Sequence, residues 1–222
     1  MVIIFLKMKK QFLFLLLVLQ SIFVIAQEAY YSDVNLNLSG VSLKNALATK
    51  ITTTHTNFLS YTPDVWEASK ATDVNPSNSN EVLLIYGYSA TGITSRTRGI
   101  DDNGGNNGDW NREHVYPRSL GTPNLGDSGP GSDAHSLRPS DVQTNSSRGN
   151  KQFADGSGNS GAVTNGWYPG DEWKGDVARM MMYMYLRYDS RCLPSNVGVG
   201  NSSGTPDDMI DLFLEWNVED PV

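Results

Sequence analysis

The sequence predicts an α+β fold, with mixed helices and short antiparallel sheets, on three observations. Segments toward both ends carry apolar residues at helical spacing. The run EVLLIYGY, residues 81 to 88, is short, β-rich and bounded by polar, turn-prone sequence. Between residues 113 and 152 the pattern reads strand, strand, helix. The 222 residues, 39% hydrophobic and 18% charged, suffice for one domain with a substantial core and do not require a second.

The first 26 residues differ from the rest. Lys7, Lys9 and Lys10 precede an apolar run from Phe12 to Ile25, and Val24-Ile25-Ala26 offers small residues before Gln27. This is the pattern of a secretory signal peptide, with Met8 as an alternative start and a retained membrane anchor as the competing reading. Cys192 is the sole cysteine, so no intramolecular disulfide forms and no cysteine sits at the cleavage point to carry a lipid. Removing the signal takes Lys+Arg from 17 to 14 against 24 acids, and the net charge from -7 to -10. That acidity argues against a nucleic-acid coat held by charge alone, but not against an enzyme with a local basic cleft.

In the mature chain, Leu43, Ala46, Leu47 and Ile51 fall on one helical face. Thr62-Pro63-Asp64 reads as a hydroxyl cap, first-turn proline and first-turn acid opening a second helix. Residues 89 to 110 form a loop rich in Gly, Asn and Asp. Its DDNGGNNGD stretch lacks the alternating acids and closing glutamate of an EF-hand. From Asp171, Trp173, Val177, Met180, Met181, Met184 and Tyr188 make a broad apolar helical face, a core pattern. Thr205-Pro206-Asp207-Asp208 repeats the cap signature ahead of MIDLFLEW.

The three histidines, at 55, 114 and 135, narrow the chemistry. No H-x-x-x-H or C-x-x-C pair points to zinc, and no G-x-S-x-G elbow points to a serine hydrolase. His55, in TTTHT, reads as structural or solvated. His114 follows Glu113 directly. Adjacent strand residues face opposite ways, so the two share a pocket only where the pleat breaks, and Pro117 predicts such a break. Downstream, a strand over residues 135 to 138, a cap at Asp141 and a helix would place Asn145, Arg148 and Gln152 on one face. Glu113 carboxylate and Asn145 amide suit a hard cation that keeps water and takes substrate phosphate. A neutral His114 suits a general base. On the residues alone, the competing reading is a structural loop.

The blocks NREHVYPRSLG, DAHSLRPSDVQTNSSRGNKQF and KGDVARMMMYMYLRY resemble the bacterial endonuclease I family, secreted or periplasmic nucleases. The resemblance runs from about Leu43 to the end and implies a ββα-metal (His-Me finger) core. It implies His114 as general base, Glu113 and Asn145 as ligands of Mg2+ (with Mn2+ or Ca2+ as substitutes), and His135 in a supporting or structural place. Arg138 and Arg148 are the candidates for gripping phosphate, since guanidinium forks suit its oxygens, and Arg112 is a weaker one. Ala134 and Ser136 depart from the family pattern tolerably, whereas the ending EWNVEDPV suggests a domain, 27 to 222, truncated at its C-terminus. The implied activity is hydrolysis of DNA, and of RNA, to 5'-phosphate ends by a secreted or periplasmic monomer without stable membrane association. The alternatives are a non-catalytic exported nucleic-acid-binding module and a phosphodiesterase of small molecules or lipids.

Overall fold

The computed structural model describes residues 29–222; the expected signal peptide and its cleavage point lie outside them. Contacts divide the described residues into two units, 29–54 and 55–222. In the first, α1 (Gly40–Thr54) leaves the predicted Leu43, Ala46, Leu47 and Ile51 half-buried and no residue fully buried.

The second unit opens with α2 (Asp64–Thr72). Its start is held by Asp64, which accepts from the backbone N–H and hydroxyl of Ser60 at 2.9 and 2.8 Å, and not by a Thr62 cap. Strands β1 (Val74–Asn75), β2 (Asn78–Leu83) and β3 (Thr97–Gly99) form an antiparallel meander. The strand expected over residues 81 to 88 therefore ends early. Beyond Leu83 the N–H groups of Leu84 and Ile85 bond to the carbonyls of Arg96 and Pro139, and Tyr86 adopts a φ of 70°. Gly87 follows because a Cβ there would lie 2.4 Å from the Ser95 carbonyl oxygen. The Gly/Asn loop closes on itself, with Asp109 accepting from the backbone N–H of Asn106 at 2.9 Å.

Strands β4 (Trp110–His114) and β5 (Leu137–Asp141) pair antiparallel along their full length, from Trp110 opposite Asp141 to His114 opposite Leu137. Helix α3 (Val142–Arg148) follows β5 directly. The expected strand at 135 to 138 is displaced, because residues Ala134–Ser136 form a 3-10 turn whose N–H at His135 is captured by Asp133 at 3.0 Å. After the β6 (Gly161–Val163) and β7 (Gly166–Tyr168) hairpin comes α4 (Lys174–Tyr188). A 3-10 turn (Asp189–Cys192) and the short α5 (Pro194–Val197) lie between it and α6 (Asp211–Glu219). The Thr205 hydroxyl turns back onto the Met209 carbonyl at 2.7 Å, so α6 starts later than its cap-like sequence suggests.

The methionine face of α4 is core, as its periodicity predicts. Met181 and Met184 are wholly buried and pack in one cluster with Phe213 and Trp216 of α6. Each such side chain contributes about 1.5–3 kcal/mol by leaving water. A smaller cluster of Val82, Leu84 and Trp110, flanked by Trp66, seats β4 against the meander. Among the described residues no helix is long and apolar enough to cross a membrane.

Candidate active site

The β4–β5–α3 unit is built from local signals. Asp141 caps α3 as predicted, accepting from the backbone N–H groups of Gln143 and Thr144 at 2.8 and 3.1 Å. Arg98 pairs with its other oxygen at 2.7 Å, fixing the cap from a third element. The helix ends at Arg148 because Gly149 turns to a φ of 57°, which leaves Gln152 outside the helical face assigned to it.

Side chains of α3 reach back onto β4. Asn145 Nδ2 donates to Asn111 Oδ1 at 2.7 Å, which leaves Asn145 Oδ1 as an acceptor with no partner among the described residues. Arg148 donates to the carbonyls of His114 and Val115 at 3.0 and 2.8 Å, and its Nη1 lies 3.1 Å from Glu113 Oε1. The end of β4 is thus clamped by a helix that starts where β5 stops.

Glu113 is 2% exposed. Its Oε1 also accepts from the Tyr86 hydroxyl at 3.0 Å, while Oε2 has no hydrogen bond among the described residues. Burial pushes its carboxyl up to about 7, against the opposing pull of Arg148 and Tyr86. His114 faces the other way along the strand, stacked on Tyr61 at 5.4 Å between ring centroids, with Nε2 3.0 Å from the Gly131 carbonyl oxygen. A carbonyl only accepts, so Nε2 carries the proton and Nδ1 keeps the lone pair. Burial lowers the imidazole to about 4; the Gly131 contact raises it, and Arg118 and Arg112 lower it further. The ring is neutral at physiological pH.

Glu113, His114 and Asn145 line one cleft of about 300 Å³, together with Arg112, Arg118 and Asn150. Strand β4 stops at His114, three residues before Pro117, and the break lets neighbours from opposite faces border the same space. One carboxylate oxygen and one amide oxygen are hard donors, few in number, the set suited to an ion that retains water and takes phosphate oxygens. Among the described residues no group of three or more His, Cys, Asp or Glu could hold a metal.

Two sequence expectations need correction. Arg148 is 0% exposed and occupied by two carbonyls and Glu113, so it cannot reach a phosphate. Arg138 pairs with Asp73 and does not line the cleft. His135, expected in a supporting or structural place, packs in a structural one, stacked on Tyr183 at 4.3 Å and bonded to Asp133, and it borders a different depression. The cleft's cations are Arg112 and Arg118. Arg112 lies over the Tyr61 and Trp66 rings and donates to Thr62 Oγ1 at 3.0 Å; Arg118, partly exposed, pairs with the exposed Asp127. Arg118 was visible in the YPRS stretch beside the Glu-His pair, whereas nothing in the sequence joined Tyr61 or Tyr86 to the site.

Sequence comparison identifies the class of protein as a nuclease. Residues 39–222 match the family described as Endonuclease I. The extracellular ribonuclease of Bacillus amyloliquefaciens is 43% identical over 206 residues, covering 88% of this chain and 67% of that protein. The extracellular ribonuclease of Bacillus subtilis (strain 168) is also 43% identical with the same coverage. No solved structure gives a significant match. The chain belongs to the Endonuclease I family.

Proposed function

We propose that this chain is a secreted, Mg2+-dependent endonuclease that hydrolyses phosphodiester bonds of RNA and DNA with little sequence preference, leaving 5'-phosphate ends. The observation that carries the reading is the convergence of Glu113, His114 and Asn145 on one cleft. Membership of a nuclease family supports it, and two extracellular ribonucleases among its relatives support export and RNA as a substrate.

Glu113, through Oε2, and Asn145, through Oδ1, would hold the cation. When bound, it supplies positive charge to the phosphate and to the departing oxygen. The chain's own groups do the rest. His114, with its tautomer set by the Gly131 carbonyl, presents Nδ1 to take a proton from water. The water oxygen bonds to phosphorus as the bond to the 3' oxygen breaks, the 3' oxygen takes a proton from solvent and His114 returns its own to solvent, giving a 5'-phosphate and a 3'-hydroxyl. Arg118 exchanges its exposed partner Asp127 for a phosphate oxygen, a small penalty because surface ion pairs contribute about 0–1 kcal/mol. Arg148 holds the His114 backbone in register and keeps Glu113 company in a site that disfavours a lone charge.

Plasmid DNA, single-stranded DNA and RNA are to be digested side by side, with and without chelator, beside bis-nitrophenyl phosphate as a small-molecule control. Chelation should abolish cleavage of the polymers, and His114→Ala should slow it at least about a hundredfold while circular dichroism stays that of the parent. A His114→Ala protein that cuts as fast as the parent refutes the assignment.

A further inference from the structure

The depression that holds His135 has aromatic walls and no place in the hydrolytic scheme. It measures about 180 Å³ and is lined by His55, Asn57, Phe58, Leu59, Asp133 and His135, among others. Phe58 is 74% exposed although it is a large apolar ring, and His55 sits beside it at 5.1 Å. One face of the His135 ring lies on Tyr183, nearly parallel at 22°, while the side chain is 64% exposed, so its other face is open. Asp133, by contrast, accepts from His135, Tyr183 and Tyr188 and is fully engaged in holding the walls. The volume is below the 300–1,000 Å³ of pockets for drug-sized ligands and suits one planar ring system.

Two chain segments join this depression to the catalytic cleft. The turn at residues 129–133 borders the depression, and its Gly131 carbonyl bonds His114. The segment at 57–61 contributes Phe58 and Leu59 to the depression and the Tyr61 ring to His114. Ser132 Oγ ties the two segments together by donating to the Leu59 carbonyl at 2.8 Å. Phe58 and Tyr61 are three positions apart, at most about 10–11 Å of chain, a span of no more than about three nucleotides even at the 3.4 Å stacked rise of a duplex strand.

We propose that this depression is a nucleobase subsite, in which an unpaired base of the substrate, within about three nucleotides of the bond being cut, stacks on Phe58 and the open face of His135. The inference rests on the nuclease reading above. Aromatic platforms beside a cation-lined path are how single strands are held without sequence preference, since every base has a π-face. A base paired inside a duplex cannot enter, so the subsite favours unpaired strands.

The test is fluorescence anisotropy of the full chain, with chelator present so that nothing is cut, using labelled oligouridylate and an abasic ribose-phosphate strand of equal length. The parent should bind the base-bearing strand about tenfold or more tighter, the scale of one base stacked on an aromatic ring. Phe58→Ala should lose most of that ratio and Phe58→Trp should keep it; both change an exposed side chain, and circular dichroism checks the fold. The proposal is overturned if the parent binds both strands equally, or neither, or if Phe58→Ala keeps the parent's ratio. Cleavage by the parent and by His114→Ala, measured separately with metal, reports on the catalytic reading alone.

Discussion

Arg148 offers the sharpest test of how the site is built, because a cation expected at the substrate is found in the interior. Replacing it with methionine keeps much of its volume against Phe153, over whose ring the guanidinium lies at 4.7 Å. It removes two hydrogen bonds to the carbonyls of His114 and Val115 and the partner of a carboxylate that is 2% exposed. Hydrogen bonds from a charged group contribute about 1.5–3 kcal/mol each, and breaking a buried ion pair from one side costs about 3–5 kcal/mol. The expected loss for Arg148→Met is therefore about 3–5 kcal/mol, read as a lower urea midpoint at about pH 9, above the value of about 7 to which burial raises the Glu113 carboxyl, so that it is ionised. Glu113→Gln removes the charge that Arg148 balances. With Glu113→Gln already in place, Arg148→Met should cost about 0.5–3 kcal/mol less than it does alone, the range for directly contacting residues. Strict additivity of the two changes would refute the claim that they form one buried pair. A parent-like midpoint for Arg148→Met would refute its structural role altogether.

Arg118→Ala should behave in the opposite way, moving stability by no more than about 1 kcal/mol because its ion pair is exposed. Its cleavage of RNA should fall about tenfold to a hundredfold, in line with loss of one charge-assisted phosphate contact; parent-like kcat/KM would remove Arg118 from substrate binding. Asp133 gives a pH signature. Burial raises its carboxyl, but hydrogen bonds from His135 and Tyr188 outweigh this and hold it down to about 2 from an ordinary 3.8. A depressed folded value means its contribution, about 2 kcal/mol, is complete above about pH 4 and lost as pH falls toward 2. Asp133→Asn should therefore flatten the acid limb of the stability profile, measured by urea midpoints across that window; an unchanged limb contradicts the assignment.

The features legible in the sequence were those governed by a few adjacent residues. Asp141 announced the start of α3, the methionine spacing announced the buried face of α4, and a Glu-His pair ahead of a proline announced side chains brought together by a strand ending. The cap and the helical spacing predict Asn145 on one face with Arg148 and Gln152, the resemblance singled it out, and its side chain turns back onto β4. Elements failed where distant partners intervened. The strand expected to reach Tyr88 ends at Leu83 because Arg96 and Pro139 supply the next carbonyls.

The chain's own order thus determined the class of fold and the three residues that meet in the cleft. Which arginines face solvent was decided only in three dimensions. Arg138 and Arg148 carry the same charge as Arg118, yet Asp73, 65 positions from Arg138, and Glu113, 35 from Arg148, draw them away from the cleft. The physical reason is range: periodicity and capping act over one or two helical turns, whereas the state of a charge depends on the burial and counter-charges that remote segments bring to it.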